Sequence, residues 1–151
     1  MERAVDLNVE VSRTFNVPVE RLYQAWTSEE DLRQWWRPME NRLKHLTNDI
    51  TPGGQVVYTF ESDQGNEVLT IKGDYKEVEA GRKLVYTWNW LLPTPTVHNS
   101  DFLLTVLFEP TENGSRLQVK QENFAHEESV QPHRDGWEKA LTDLEQYLSK
   151  S

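Results

Sequence analysis

The sequence has no cysteine among its 151 residues, which excludes disulfides and thiolate metal sites and is the usage expected in a reducing compartment. It has no apolar run near the roughly 20 residues that a membrane-spanning helix needs. The opening stretch MERAVDLNVEVSRTF also lacks the basic-then-apolar layout of a leader. A soluble, cytoplasmic chain is therefore expected. Positive charge is scarce, with 16 Lys and Arg against 25 Asp and Glu for a formal charge of −9. An acidic surface repels phosphate backbones and anionic headgroups, so neither nucleic acid nor membrane is expected as a partner. Repeats, low-complexity tracts and Pro- or Gly/Ser-rich linkers are missing as well. One domain over 1–151 follows, long enough to bury a core without staples and expected as a monomer.

Aromatic residues are abundant, with six Trp, five Tyr and five Phe. Leu7, Val9, Val11 and Phe15 alternate with polar residues as in a half-buried strand, and Arg13 interrupts the apolar side. Pro18 suits the first turn of a helix carrying Val19, Leu22, Tyr23 and Trp26 at helical spacing. Ser28-Glu29-Glu30-Asp31 is a capping pattern for a second short helix with Leu32, Trp35 and Trp36 on its apolar face, and Pro38 ends it. Six strand candidates follow. The weakest is Leu43 to Asn48; the others carry Val56/Tyr58/Phe60, Leu69/Ile71/Gly73/Tyr75, Leu84/Tyr86/Trp88/Trp90, Phe102/Leu104/Val106/Phe108 and Leu117/Val119. Pro93 and Pro95 mark a loop, and Asn113-Gly114 is the strongest hairpin signal. Trp137, Ala140, Leu141, Leu144 and Leu148 form one stripe of a terminal amphipathic helix, which must cover the apolar face of the sheet. The order β-α-α-β-β-β-β-β-β-α with short connections predicts an α+β fold built on an antiparallel meander.

Catalytic and metal chemistry find no footing. His45, His98, His126 and His133 do not make a His-x-x-x-His pair. Gly53-Gly54 has neither the Lys-Ser/Thr nor the helix of a phosphate loop and reads as a turn. The ionisable residues nearest the interior by pattern are Arg13, Asp49, Glu61 and His98, and no nucleophile stands beside a base. No catalytic residue, metal or cofactor is assigned. The constellation with chemical content is aromatic. Tyr58, Phe60, Tyr75, Tyr86, Trp88, Trp90 and Phe102 lie on the apolar sides of their strands and face Trp137, Leu141 and Leu144, lining either a filled core or a chamber for a small apolar molecule. Trp35 and Trp36 point about 100° apart on their helix, so one is expected buried and one beside an opening, or both as a plug. Gly136 costs a helix about 1 kcal/mol, and close approach of another element is the expected reason.

The run from Val11 to Trp36 resembles the opening of the START-like SRPBCC superfamily, in the branch named after the activator of the heat-shock-90 ATPase. The residues that carry the resemblance are Arg13, Pro18, Tyr23, Ala25, Trp26, Thr27 and the Trp35-Trp36 pair, then Gly53-Gly54, the strand Leu84 to Trp88, and Gly136-Trp137. It implies a helix-grip, Bet v-like fold, with a curved sheet of about seven strands around the long C-terminal helix. It also implies a chamber for lipids, hormones or aromatic polyketides. The ligand-binding residues expected on this footing are Trp35, Trp36, Tyr58, Phe60, Ile71, Tyr86, Trp88, Trp90, Phe102, Leu104, Trp137, Leu141 and Leu144. Binding of a small hydrophobic ligand without catalysis is the leading expectation. The alternatives that the resemblance supplies are a stress-related co-chaperone module and a polyketide cyclase or dehydratase. The eukaryotic activator uses a separate N-terminal domain for its chaperone contact, and this chain opens on the first strand, which ranks the chaperone second.

Overall fold

The computed structural model describes residues 8–37, 41–62, 64–91, 102–122 and 130–149, with the backbone alone at Glu67, Val68, Trp90 and Leu91. Expectations placed on Leu7, Pro38, Pro93, Pro95, His98 and His126 lie outside the described residues.

The chain crosses the full width of one curled, seven-stranded antiparallel sheet between its first two strands. Strand β1 (Val9–Phe15) lies at one edge and β2 (Arg42–Asn48) at the other. Helices α1 (Val19–Thr27) and α2 (Glu29–Trp35) carry the chain between them. From β2 the chain returns as a meander through β3 (Gln55–Glu61), β4 (Glu67–Glu79), β5 (Lys83–Leu91), β6 (Phe102–Thr111) and β7 (Gly114–Glu122), which pairs with β1. The period-two pattern sets the inner face: Val56, Tyr58 and Phe60 on β3, and Phe102, Leu104, Val106 and Phe108 on β6, are all buried. Helix α3 (Val130–Ser149) turns Trp137, Ala140, Leu141, Leu144 and Leu148 toward this face, as the stripe predicts. Its backbone comes closest to β1 and α2.

Arg13 has its explanation in this arrangement. It occupies an inward register on β1, where α3 passes overhead. Its guanidinium donates to Thr142 Oγ1 at 2.7 Å and Glu145 Oε1 at 3.3 Å, with Glu138 at 3.6 Å. The break in the apolar side is the tie between strand and helix, so Arg13 sits at the rim and not in the interior.

One local expectation finds its cause and two need correction. The poor alternation of β2 comes from a register slip between Leu43 and His45, which reverses the inward parity midway. The β6–β7 hairpin turns at Glu112-Asn113, since Thr111 pairs with Gly114. Gly114 is needed for close approach: a Cβ there would lie 2.1 Å from the Phe15 carbonyl oxygen. Gly136 is the reverse case. It is exposed inside α3, and a Cβ would meet nothing within 4 Å. No described element approaches it. Gly136→Ala is therefore expected to stabilise the protein by about 0.5–1 kcal/mol, by removing the conformational cost of a helical glycine. A thermal melt reads this as a rise of a few degrees; a fall would show that the glycine serves a contact.

Candidate ligand-binding site

Five tryptophans from four elements and the residue that closes α2 form a closed circuit. Trp26 on α1 lies 5.9 Å from Trp35 on α2, and Trp35 lies 6.3 Å from Trp36. Trp36 is 5.8 Å from Trp88 on β5, Trp88 is 5.7 Å from Trp137 on α3, and Trp137 returns to Trp26 at 6.0 Å. Tyr58 and Phe60 stand edge-on to Trp36 at 4.9 and 5.2 Å. Offset and edge-on contacts of this kind are the favoured aromatic geometries. Trp35 and Trp36 are 3% and 7% exposed, so both are buried and the plug is the arrangement adopted. Trp26 was missing from the expected site. Its stripe with Leu22 and Tyr23 marks it as buried, but its partners lie on other elements.

The polar atoms of this interior are mostly matched. Trp26 Nε1 donates to Tyr86 Oη at 3.1 Å, Trp35 Nε1 to the Ala25 carbonyl at 2.8 Å, and Trp137 Nε1 to Gln121 Oε1 at 2.7 Å. Tyr75 Oη donates to Asn48 Oδ1 at 2.7 Å. Burial raises the pKa of Tyr58, Tyr75 and Tyr86 well above that of a free phenol, with the neighbouring tyrosines adding to the effect at Tyr58 and Tyr75. Burial also holds His133, whose ring lies 5.3 Å from Phe102, below the ordinary imidazole value. These groups are thus neutral near pH 7. Among the described residues, two buried donors remain without a partner, Trp88 Nε1 and Gln121 Nε2, and Asn89 Oδ1, on the opposite side of β5, is a buried acceptor without one.

Of the ionisable residues expected nearest the interior, none described is buried. Asp49 is exposed and Glu61 pairs with Arg42 at 3.2 Å. Among the described residues the buried carboxylate is Asp31, 6% exposed. Arg21 grips it through two hydrogen bonds, at 3.1 and 3.2 Å, and the Tyr147 hydroxyl donates to it. The cluster fastens α2 to the end of α3. Burial alone would raise the Asp31 pKa; the Arg21 hydrogen bonds and charge, with Tyr147 and Ser28, outweigh it and hold the group below the usual carboxylate value. A folded value below the unfolded one means that the clamp's contribution is present above the ordinary carboxylate range and is lost as pH falls through the folded value. Asp31→Asn is expected to cost about 1–2 kcal/mol at neutral pH, discounted because Arg21 is partly exposed, and to flatten the loss on acidification. Urea midpoints of both proteins across the acid range test this; parallel curves would contradict it.

All the expected site residues with described side chains are buried in this interior, with Ile71, Leu104, Leu141 and Leu144 completely enclosed. The Trp90 side chain lies outside the described residues. Among the described residues there is no group of three His, Cys, Asp or Glu able to hold a metal ion, and no helix long and apolar enough to cross a membrane.

Residues 16–149 match the family model described as activator of Hsp90 ATPase homolog 1-like protein. The chain belongs to that family. The activator-homolog fold recurs in solved structures. A protein from Arthrobacter aurescens is 22% identical with a TM-score of 0.81, over 97% of this chain and 88% of that one. An AHSA1-like protein from Aeromonas hydrophila is 15% identical at 0.79, over 95% and 92%. The AHSA1 protein from Silicibacter pomeroyi is 21% identical at 0.78, over 94% and 97%. At these identities the likeness is one of fold. Comparison with curated proteins finds no match.

Proposed function

We propose that this activator-homolog protein binds a small hydrophobic molecule, lipid-like or of aromatic polyketide or flavonoid type, between the sheet and α3, without transforming it. The observation that carries the reading is how α3 is held. Its backbone comes closest to β1 and α2, whereas its links to β5 and β6 run through large rings, Trp137 to Trp88 at 5.7 Å and His133 to Phe102 at 5.3 Å. Rings meeting at their faces and edges present flat apolar surfaces on which a planar guest stacks. The neutral state of the buried tyrosines and of His133 suits an apolar guest.

The test is a titration with fatty acids, flavonoids and aromatic polyketides followed by tryptophan emission. With four of the circuit's indoles in contact with Trp88 or Trp137, or being one of them, occupancy must alter the emission. A saturable change with a dissociation constant below about 1 mM is expected. A panel that leaves the emission unchanged contradicts the reading. The family description motivates a second reading, a co-chaperone module. Stimulation of a heat-shock-90 ATPase by the purified protein would support it, and no stimulation would remove it.

A further inference from the structure

Two buried donors of the interior lack an acceptor among the described residues. Trp88 is 1% exposed and Gln121 0%, yet Trp88 Nε1 and Gln121 Nε2 have no partner among the described residues. Both side chains border the same indole. The Trp88 ring is 5.7 Å from that of Trp137, and the Gln121 carbonyl oxygen accepts the Trp137 N–H at 2.7 Å. That last bond fixes the amide, because it turns Oε1 to the indole and leaves Nε2 as the spare group. A buried donor left unmade destabilises a fold, so two beside one ring call for an occupant.

Their chemistry narrows the occupant. Both are neutral N–H donors, so the complement is an acceptor. The described cations on or against α3 are engaged elsewhere: Arg13 with Thr142, Glu138 and Glu145, Arg21 with Asp31, Arg134 with the Glu10 carbonyl and Lys139 with Asp143. An anion would thus enter without a counter-charge, which neutral donors do not offset. An alcohol would bring a donor to a place that already has a surplus of them. We propose that the ligand carries a neutral acceptor oxygen, a ketone, ester or amide carbonyl on a flat apolar frame, held by Trp88 Nε1 and Gln121 Nε2 beside the Trp137 indole. The inference rests on the ligand-binding reading above and deepens it.

Three probes of nearly equal shape test it: 2-acetylnaphthalene, 2-ethylnaphthalene and 2-naphthoate. Affinities are measured by calorimetry, and the Trp88 indole and Gln121 amide protons are followed by NMR in the 15N-labelled full chain. The ketone is expected to bind about tenfold more tightly than the hydrocarbon, the gain of one to two hydrogen bonds to donors otherwise unmade. The naphthoate should bind no better than the hydrocarbon. Only the ketone should move the two donor signals downfield. Trp88→Phe should cut the ketone's advantage over the hydrocarbon to about threefold or less, and that ratio is the readout because the smaller ring alters the stacking surface for every probe. If that variant does not fold, the signals in the unaltered protein decide. Equal binding of ketone and hydrocarbon, tightest binding of the naphthoate, or a long-lived water on the Trp88 N–H that persists under saturating ketone would each overturn the inference and leave the binding reading standing. No response to any of the three would contradict both.

Discussion

Trp88→Ala is expected to cost about 3–5 kcal/mol of stability, the range for deleting a large aromatic from a closed core. Trp88 is 1% exposed and its ring meets Trp36, Tyr58, Tyr86 and Trp137 at centroid distances of 5.8, 5.7, 5.7 and 5.7 Å. Those partners come from the α2 terminus, β3, β5 and α3, so removing one indole loosens the join between three layers of chain. Against a typical total of about 5–15 kcal/mol, that loss brings the protein close to its unfolding threshold at room temperature. Urea denaturation is the measurement. A loss under about 1 kcal/mol would mean that the indole circuit is not a packing unit. Trp88→Phe retains a ring and should lose clearly less.

Gly73→Ala is expected to destabilise by about 3 kcal/mol or more, at the upper end of the range for overpacking. Gly73 is buried on β4, and a Cβ there would sit 2.0 Å from the Thr87 carbonyl oxygen and 3.2 Å from the Tyr86 ring. The nearest obstacle is backbone, which cannot rotate aside. The strands β4 and β5 would have to separate next to the slip between Tyr75 and Glu77. The same substitution at Gly136 carries the opposite sign, because nothing stands in the way of a methyl group there. Melting the two variants side by side separates a glycine kept for space from one that the fold can replace. If both fell together, helix propensity and strand crowding would not be the governing terms.

Strand and helix positions were legible because burial on one face imposes a period. The alternation Phe102, Leu104, Val106 and Phe108 and the stripe from Trp137 to Leu148 each needed only local sequence. The features missed depend on pairing across the chain. Trp26 meets Tyr86 from 60 positions away, and Asp31, read from its neighbours as a cap residue, meets Tyr147 across 116. Gln121 was within reach: Leu117 and Val119 define the inward parity of β7, and the next position in that register is Gln121. An amide in an apolar register is easily passed over when apolar residues alone define the core, and here it is one of the most informative side chains. The slip in β2 had a trace in its broken alternation, but a bulge and a poor strand look alike until a partner strand supplies the register.

The most direct test of a guest beneath α3 is isotope-filtered NMR on the labelled protein with the tightest-binding member of the ligand panel, reading nuclear Overhauser contacts from guest protons. Contacts to the rings of Trp88, Phe102 and Trp137 are the predicted result. Contacts confined to Leu103 and Leu107, which lie on the other face of β6, would contradict it.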